Sequence, residues 1–326
     1  MLTLHCLEFE MEATTRMGLY EHSGTALRAA LYATLSRHFC PAPPGTRASL
    51  DLNHQTYCPA CWLLAREEPE STRGKDVPRA LALRPPVRTP TDLQPGTRWR
   101  FGLTLFGAQA AGLFPYLVVA VALMGETGIG RPVQNGQRGR AGLRRVWAFN
   151  PCTEMRQLLV AEGSKLVESL QLAVTPDDVA AAAARLAAQV RGQGNRVNVN
   201  FLTPTRLVDG EMLTHSPVFI TLIERALGRL RQLTRWYADG ETLPVDVERL
   251  LPLADEVQLV SDQTQWVDLH SPSRQKHYAT PIGGFTGRAT YTSEHWEQLL
   301  PWLLWGQMTQ VGKNTVKGNG WYEVGG

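Results

Sequence analysis

One order of elements is written twice into this sequence. Near the start, Leu2 to Glu10 alternates polar and apolar residues as a strand does, and Ser23 precedes a helical segment, GTALRAALYATLSRHF. Trp99 to Leu105 (WRFGLTL) reads as a strand, an apolar helix ends near Met124, and a glycine-rich loop, GETGIGRPVQNGQRGRAG at 125–142, leads into the strand LRRVWAF. In the last third, Asn195 to Phe201 (NRVNVNF) alternates as a strand, and Ser216-Pro217 supplies a helix start. Phe219, Leu222, Ile223, Ala226, Leu227, Leu230, Leu233 and Tyr237 follow at helical spacing. Glu256 to Asp268 and Gly283 to Tyr291 (GGFTGRATY) read as strands, and Ser293 precedes a helix running to about Trp305. A second glycine-rich turn, VGKNTVKGNG at 311–320, precedes the closing strand WYEV. The last third has the order βαββαβ, the ferredoxin-like arrangement, and the first part repeats its strand, helix, glycine loop and strand. The expected fold class is therefore α/β (α+β), with two tandem ferredoxin-like domains at 1–150 and 151–326.

Length agrees with this division, because 326 residues suit two domains of roughly 150 each. Residues 41–98, rich in Pro, Arg and Asp, read as an insertion in the first domain, spanning about 40–98 with its flanking cysteine. An Ala-rich amphipathic helix within 163–194 joins the halves or extends the second domain. The longest apolar run, Leu113–Met124, has twelve residues and contains Pro115, well short of the ~20 that span a bilayer. The N-terminal residues carry three glutamates and no basic stretch, unlike a signal peptide. A cytoplasmic protein with no membrane partner is the expectation.

The net charge of +3 is too small to indicate nucleic-acid binding by itself. Basic residues are instead concentrated locally. Arg131, Arg138, Arg140, Arg144 and Arg145 fall within fifteen residues around the first glycine loop. Lys313 and Lys317 stand among Gly312, Gly318 and Gly320 in the second. Glycine lets a backbone approach a phosphate closely, and lysines supply the countercharge. The plain alternative for each loop is a helix-to-strand turn. Arg274, Gln275, Lys276 and His277 form a further group of donors in SPSRQKH, with a surface turn as its alternative reading.

Several segments together resemble a known family. They are GTALRAALY at 24–32, LTLFG at 103–107, FLTPTRL at 201–207, SPSRQK at 271–276, GGFTG at 283–287 and VGKNTVKGNG at 311–320. The tandem domains resemble the RAMP superfamily of CRISPR RNA-binding proteins, and these segments resemble its repeat-processing endoribonucleases, the Cas six family. The resemblance implies binding of CRISPR repeat RNA, with crRNA as product and other Cas subunits of an effector complex as further partners. It implies cleavage by 2′-hydroxyl attack, leaving a 2′,3′-cyclic phosphate and a 5′-hydroxyl, with no cofactor for catalysis. A RAMP subunit that holds crRNA without cutting it is the alternative. A zinc-dependent hydrolase leaves the paired glycine loops unexplained.

In such enzymes the catalytic histidine lies in or just after the first helix, often with a tyrosine. Two histidines compete for that role here. His22 directly precedes the first helix, whose N-terminal dipole and exposed amides favour a phosphate. His38 lies at the far end, on the side of Leu27, Leu31 and Leu35, where burial and a structural role are expected. His22 ranks ahead of His38, with His54, His270 and His277 behind. Tyr32 matches an aromatic position that the family uses near the scissile phosphate, and otherwise reads as a core aromatic. Arg28, one turn earlier, is a candidate phosphate clamp or salt-bridge partner.

The five cysteines are an odd number, which argues against a disulfide framework. Cys58 and Cys61 have the two-residue spacing of a zinc knuckle. Cys40 and His54 lie within reach in sequence to complete a structural zinc site, and incidental thiols are the alternative. This cysteine-bearing insertion is a departure from most relatives.

Overall fold

The computed structural model describes residues 2–43, 46, 48–68, 77–271 and 279–326. They divide into two compact units.

The first unit comprises residues 2–173 with Trp236–Asp239. Its elements are β1 (Leu4–Ala13), α1 (Gly24–Phe39), α2 (Leu52–Tyr57), α3 (Pro59–Leu64), β2 (Leu81–Arg84), β3 (Arg98–Phe106), α4 (Phe114–Thr127), β4 (Ile129–Gln134), β5 (Gln137–Gly139), β6 (Ala141–Phe149) and β7 (Arg156–Val160). The main sheet is antiparallel in the order β2-β3-β1-β6-β7. Its first four strands give the ferredoxin-like order. Leu7, Phe9 and Met11 of β1 are buried, as are Leu27, Leu31 and Leu35 of α1 and Leu117, Val121 and Met124 of α4. The rings of Phe9 and Phe101 stack at 5.2 Å.

Three features of this unit differ from the sequence expectation. The unit ends at 173 rather than 150, because β7 pairs with β6 as a fifth strand. Residues 40–98 are not all insertion, since Leu81–Arg84 pairs with β3 as the second strand of the domain. Four apolar-dominated residues ahead of two prolines carry too little alternation to announce a strand. The first glycine loop is largely a hairpin. Its turn is Asn135-Gly136, with φ of +48° and +73°. That left-handed pair is what a two-residue hairpin turn demands, and Asn-Gly is its strongest sequence signal. The hairpin is fastened to Met17–Gly18, where Gly18 pairs with Arg131.

The second unit comprises residues 174–235 and 240–326. Its main elements are α5 (Pro176–Arg191), β8 (Arg196–Thr205), α6 (Phe219–Tyr237), β9 (Gln258–Val267), β10 (Gly284–Thr292), α7 (Trp296–Thr309) and β11 (Tyr322–Gly325). The sheet order β9-β10-β8-β11 repeats the ferredoxin-like arrangement. The Ala-rich helix α5 extends this unit and packs on α7. It starts from a capping box in which Thr175 and Asp178 satisfy each other's backbone amides. Phe201 and Phe285 meet edge to face at 4.9 Å, and the buried Tyr322 hydroxyl donates to the Leu303 carbonyl at 2.7 Å.

The expected serine caps are displaced. Helices α6 and α7 begin at Phe219 and Trp296, after Ser216 and Ser293. Ser23 adopts helical backbone angles, and its hydroxyl donates to the Tyr20 carbonyl at 2.5 Å instead of accepting a helix amide. Among the described residues no helix is long and apolar enough to cross a membrane.

Candidate nucleic-acid interface and cysteine cluster

In the second unit, three of the motif segments meet at one corner. The chain leaving β8 carries Pro204 and Arg206, whose carbonyls accept the amides of Gly320 and Lys313. Arg206 Nη1 donates to the Gly283 carbonyl at 3.2 Å, and Asn319 Nδ2 donates to the Ile282 carbonyl at 2.6 Å. Lys317 Nζ donates to Ser271 Oγ at 3.3 Å. FLTPTRL, GGFTG and the 311–320 turn are thus one bonded structure, and the SPSRQK segment starts from Ser271 beside it. Arg274, Gln275, Lys276 and His277 lie outside the described residues.

Six amides of this turn are already occupied within the protein. The N–H groups of Val311, Lys313, Lys317, Gly318, Asn319 and Gly320 all end on carbonyls of the turn itself or of the Pro204–Arg206 stretch. Gly320 is required by packing: its φ is +74°, and a Cβ there would strike the Val311 carbonyl. A Cβ at Gly312 would strike the Arg206 carbonyl in the same way. Of the two lysines, Lys313 is exposed and Lys317 is half-buried on Ser271.

Beside this corner is a group that the sequence reading missed. The exposed His215 ring lies 4.2 Å from the Trp266 ring, and the Arg206 guanidinium sits over the same tryptophan, 5.8 Å from its ring centre. Trp266 Nε1 donates to Asp268 at 2.9 Å. A tryptophan at the end of an otherwise polar strand, QLVSDQTQW, was the available signal.

In the first unit, α1 carries the candidate acid–base residues at its two ends. His22 and His38 are separated by roughly 24 Å at 1.5 Å per helical residue, so they cannot serve one phosphate together. His22 is half-buried, and burial pushes its imidazole below the ordinary value, partly offset by Glu21. His38 is exposed, contrary to the burial expected from its helical phase. The apolar stripe is covered only as far as Leu35, and the final turn, Ser36–Phe39, is half-buried or exposed. Tyr32 is half-buried, with the Arg28 guanidinium 5.7 Å from its ring centre. Arg28 also donates to the Leu64 carbonyl at 3.4 Å, which fixes it to α3.

The arginines around the first loop divide into two groups. Arg138 and Arg140 are exposed on the hairpin. Arg144 and Arg145 lie on β6 and are held by acids: Arg144 meets Glu12 at 2.8 Å and Arg145 meets Glu162 at 2.9 Å. They belong to a row in which Glu8, Glu10, Glu12 and Glu162 face Arg98, Arg100, Arg144 and Arg145 across the sheet.

The insertion gathers its ligating residues. Cys40, His54, Cys58 and Cys61 bring one ligand atom each within 4.8 Å of one another. Cys40 Sγ and His54 Nε2 are 3.5 Å apart. Burial, and then the neighbouring sulfurs, push the Cys61 thiol far up, and burial raises Cys58 as well. His270 is exposed and apart in sequence from this group.

Two family models match the sequence. One, AF_1859_N, described as an N-terminal domain, matches residues 2–172. The other, described as CRISPR-associated endoribonuclease Cas6, matches residues 199–322. Over its first domain the chain belongs to the AF_1859_N family of N-terminal domains, and its residues 199–322 match the Cas6 family.

Solved Cas6 structures share the fold over the full chain. A Cas6 product complex is 15% identical, covers 98% of this chain and 99% of that chain, and has a TM-score of 0.54. Thermus thermophilus Cas6 is 16% identical over 99% of both chains, also at 0.54. A chain of a partial Cas6-RT-Cas1–Cas2 complex is 16% identical, with a TM-score of 0.60; the match takes 99% of this chain and 46% of that one. At such identities the likeness shows the tandem ferredoxin-like fold. No curated protein matches the sequence. The Cas6 match spans β8 to β11, so it covers the whole bonded corner around Arg206 and Gly320.

Proposed function

We propose that this protein binds CRISPR repeat RNA and cuts it by internal transesterification, releasing crRNA. The observation that carries the reading is the Cas6 match over 199–322, which includes the corner built from FLTPTRL, GGFTG and the glycine turn. In the proposed reaction a 2′-oxygen attacks the adjacent phosphorus and the bond to the 5′-oxygen breaks. A base accepts the 2′-hydroxyl proton, and an acid protonates the departing 5′-oxygen. Histidine serves such proton transfers best near neutral pH, and each transfer typically contributes ~10²–10⁴-fold. No bound metal takes part in these steps. A relative of the same fold is named in a Cas6-RT-Cas1–Cas2 complex, which supports other Cas subunits as partners.

His38 is the preferred acid–base residue. Proton transfer changes the charge of the ring, which costs little where the ring is already in water. Tyr32 lies on the same helix and serves as a positioning group. Lys313 on the corner, and Arg138 and Arg140 on the hairpin, supply phosphate contacts. Arg206, His215 and Trp266 offer a guanidinium and two ring faces for a nucleobase, since stacking on aromatic and Arg planes is how single-stranded RNA is held.

The reading is tested by incubating the protein with its repeat RNA in EDTA and mapping both ends of the products. One cut per repeat, leaving a 2′,3′-cyclic phosphate and a 5′-hydroxyl, is expected. Tight binding with intact RNA identifies the non-cleaving alternative. Cleavage abolished by a brief EDTA treatment sinks the metal-independent mechanism. In the same system, Lys313→Ala should reduce the slope of log affinity against log salt by roughly 0.7, the share of one single-strand phosphate contact. An unchanged slope removes Lys313 from the RNA surface.

A further inference from the structure

We propose that Cys40, His54, Cys58 and Cys61 bind one structural zinc ion that holds the insertion helices against the end of α1. The four residues come from three helices, and each position is set by local structure. Cys40 is the C-cap of α1. His54 lies in α2, and Cys58 is at once the C-cap of α2 and the N-cap of α3. The Cys58 amide donates to the His54 carbonyl at 3.0 Å, which fixes the spacing of these two ligands. Cys61 follows in the first turn of α3, completing the knuckle spacing.

The dimensions match zinc. Bonds of ~2.3 Å to sulfur and ~2.0–2.1 Å to nitrogen at tetrahedral angles place a sulfur and a nitrogen roughly 3.6 Å apart. Cys40 Sγ and His54 Nε2 stand 3.5 Å apart. Two sulfurs on the same ion would be roughly 3.8 Å apart, within the 4.8 Å that encloses all four ligand atoms. Soft thiolates with an imidazole select zinc over hard, oxygen-seeking cations.

The energetics of the insertion call for such a link. Helices α2 and α3 have six residues each, far below the ~12–15 at which an isolated helix is even marginal. His54, Cys58 and Cys61 are buried. Three thiolates with their sulfurs and the imidazole nitrogen within 4.8 Å of one another would repel. A dication reverses that repulsion. On binding, the three thiols release three protons to solvent, and a Zn²⁺ with three thiolates leaves the cluster at a charge of −1. All four positions are filled by protein, so no coordination site remains for water or substrate, and the ion is structural rather than catalytic.

The test uses full-length, untagged protein made in zinc-supplemented medium. Elemental analysis should give about one zinc per chain, and Co²⁺ exchanged into the site should show the visible bands of tetrahedral thiolate coordination. Cys61→Ser should lose the zinc and lower Tm by at least about 5 °C. His54→Cys, which keeps four ligands, should retain both zinc and Tm, whereas His54→Ala should lose them. If Cys61→Ser does not fold, the His54 pair and the cobalt spectrum decide the matter. Protein with less than about a tenth of a zinc per chain and no response of Tm to added zinc would overturn the proposal. So would a Cys58–Cys61 disulfide in the isolated protein, or zinc retained in both Cys61→Ser and His54→Ala.

Discussion

Replacing His38 with alanine should slow single-turnover cleavage of repeat RNA by about a hundredfold, while Tm and RNA affinity change little. The expectation rests on where the ring is. His38 stands in the exposed last turn of α1, so a ring lost there creates no cavity and costs little stability. His22→Ala should slow the same step by less than about tenfold, well short of the range for losing an acid or base. Its ring is half-buried, with burial already favouring the neutral form, so it is poorly suited to carry a proton to the leaving oxygen. Measuring at saturating enzyme isolates the chemical step. A 2′-deoxy substitution at the cut site sets the floor of the assay, because it removes the nucleophile. His38 is two residues from Cys40, so the zinc content of the His38→Ala protein must be checked beside its rate. A large loss in His22→Ala with a small one in His38→Ala would move the reaction to the other end of α1. No loss in either would remove this helix from the active site.

The two histidines illustrate what a linear reading of α1 can and cannot supply. Helical phase places His38 on the stripe of Leu27, Leu31 and Leu35, and that phase is correct. Phase alone does not say where along the helix the cover stops, and here it stops at Leu35. The duplicated fold was legible for the opposite reason: alternation in NRVNVNF and the 3.6-residue period after Ser216-Pro217 are local patterns that tertiary contacts reinforce. The arginine hairpin was legible in principle through Asn135-Gly136, but the surrounding glycines read as a loop. The convergence of Cys40 with His54, Cys58 and Cys61 was suggested by spacing, and the fold brings their ligand atoms together. The glutamate row was out of reach, because Glu10 meets partners 88 to 135 positions away. Only strand register places them opposite one another, Glu10 against Arg100 on one side and Arg145 on the other.

That row carries the other large effect expected. Glu10→Gln should lower the stability of the first domain by about 2 kcal/mol, seen as a Tm lower by roughly 4–8 °C. The Glu10 side chain is only 4% exposed and faces three guanidinium groups, with Arg100 Nη2 at 2.6 Å, Arg98 Nη1 at 3.2 Å and Arg145 Nη1 at 3.8 Å. Removing the carboxylate charge leaves Arg98 to Glu12 and Glu162, Arg100 to Glu8 and Arg145 to Glu162, with the buried centre of the row no longer neutralised. A wholly buried pair broken this way costs ~3–5 kcal/mol. The arginines here are 39–48% exposed, and solvent screening reduces the penalty accordingly. Raising the salt concentration should narrow the gap between Glu10→Gln and the unaltered protein, since screening acts on the same repulsion. The neighbouring Glu12 sets the pH behaviour of the row. Its hydrogen bond from Arg144 holds its carboxyl below the ordinary value in the folded chain. A carboxyl lowered by folding stabilises the folded state above its unfolded pKa, and that contribution is lost as the pH falls through its folded pKa. Thermal melts from pH 7 downward should therefore show Tm beginning to fall as the unfolded carboxylate value is approached, in the unaltered protein and in Glu10→Gln alike. A melt of Glu10→Gln that matches the unaltered protein at low salt would mean that the glutamates and arginines are separately solvated and that the row does not hold the sheet.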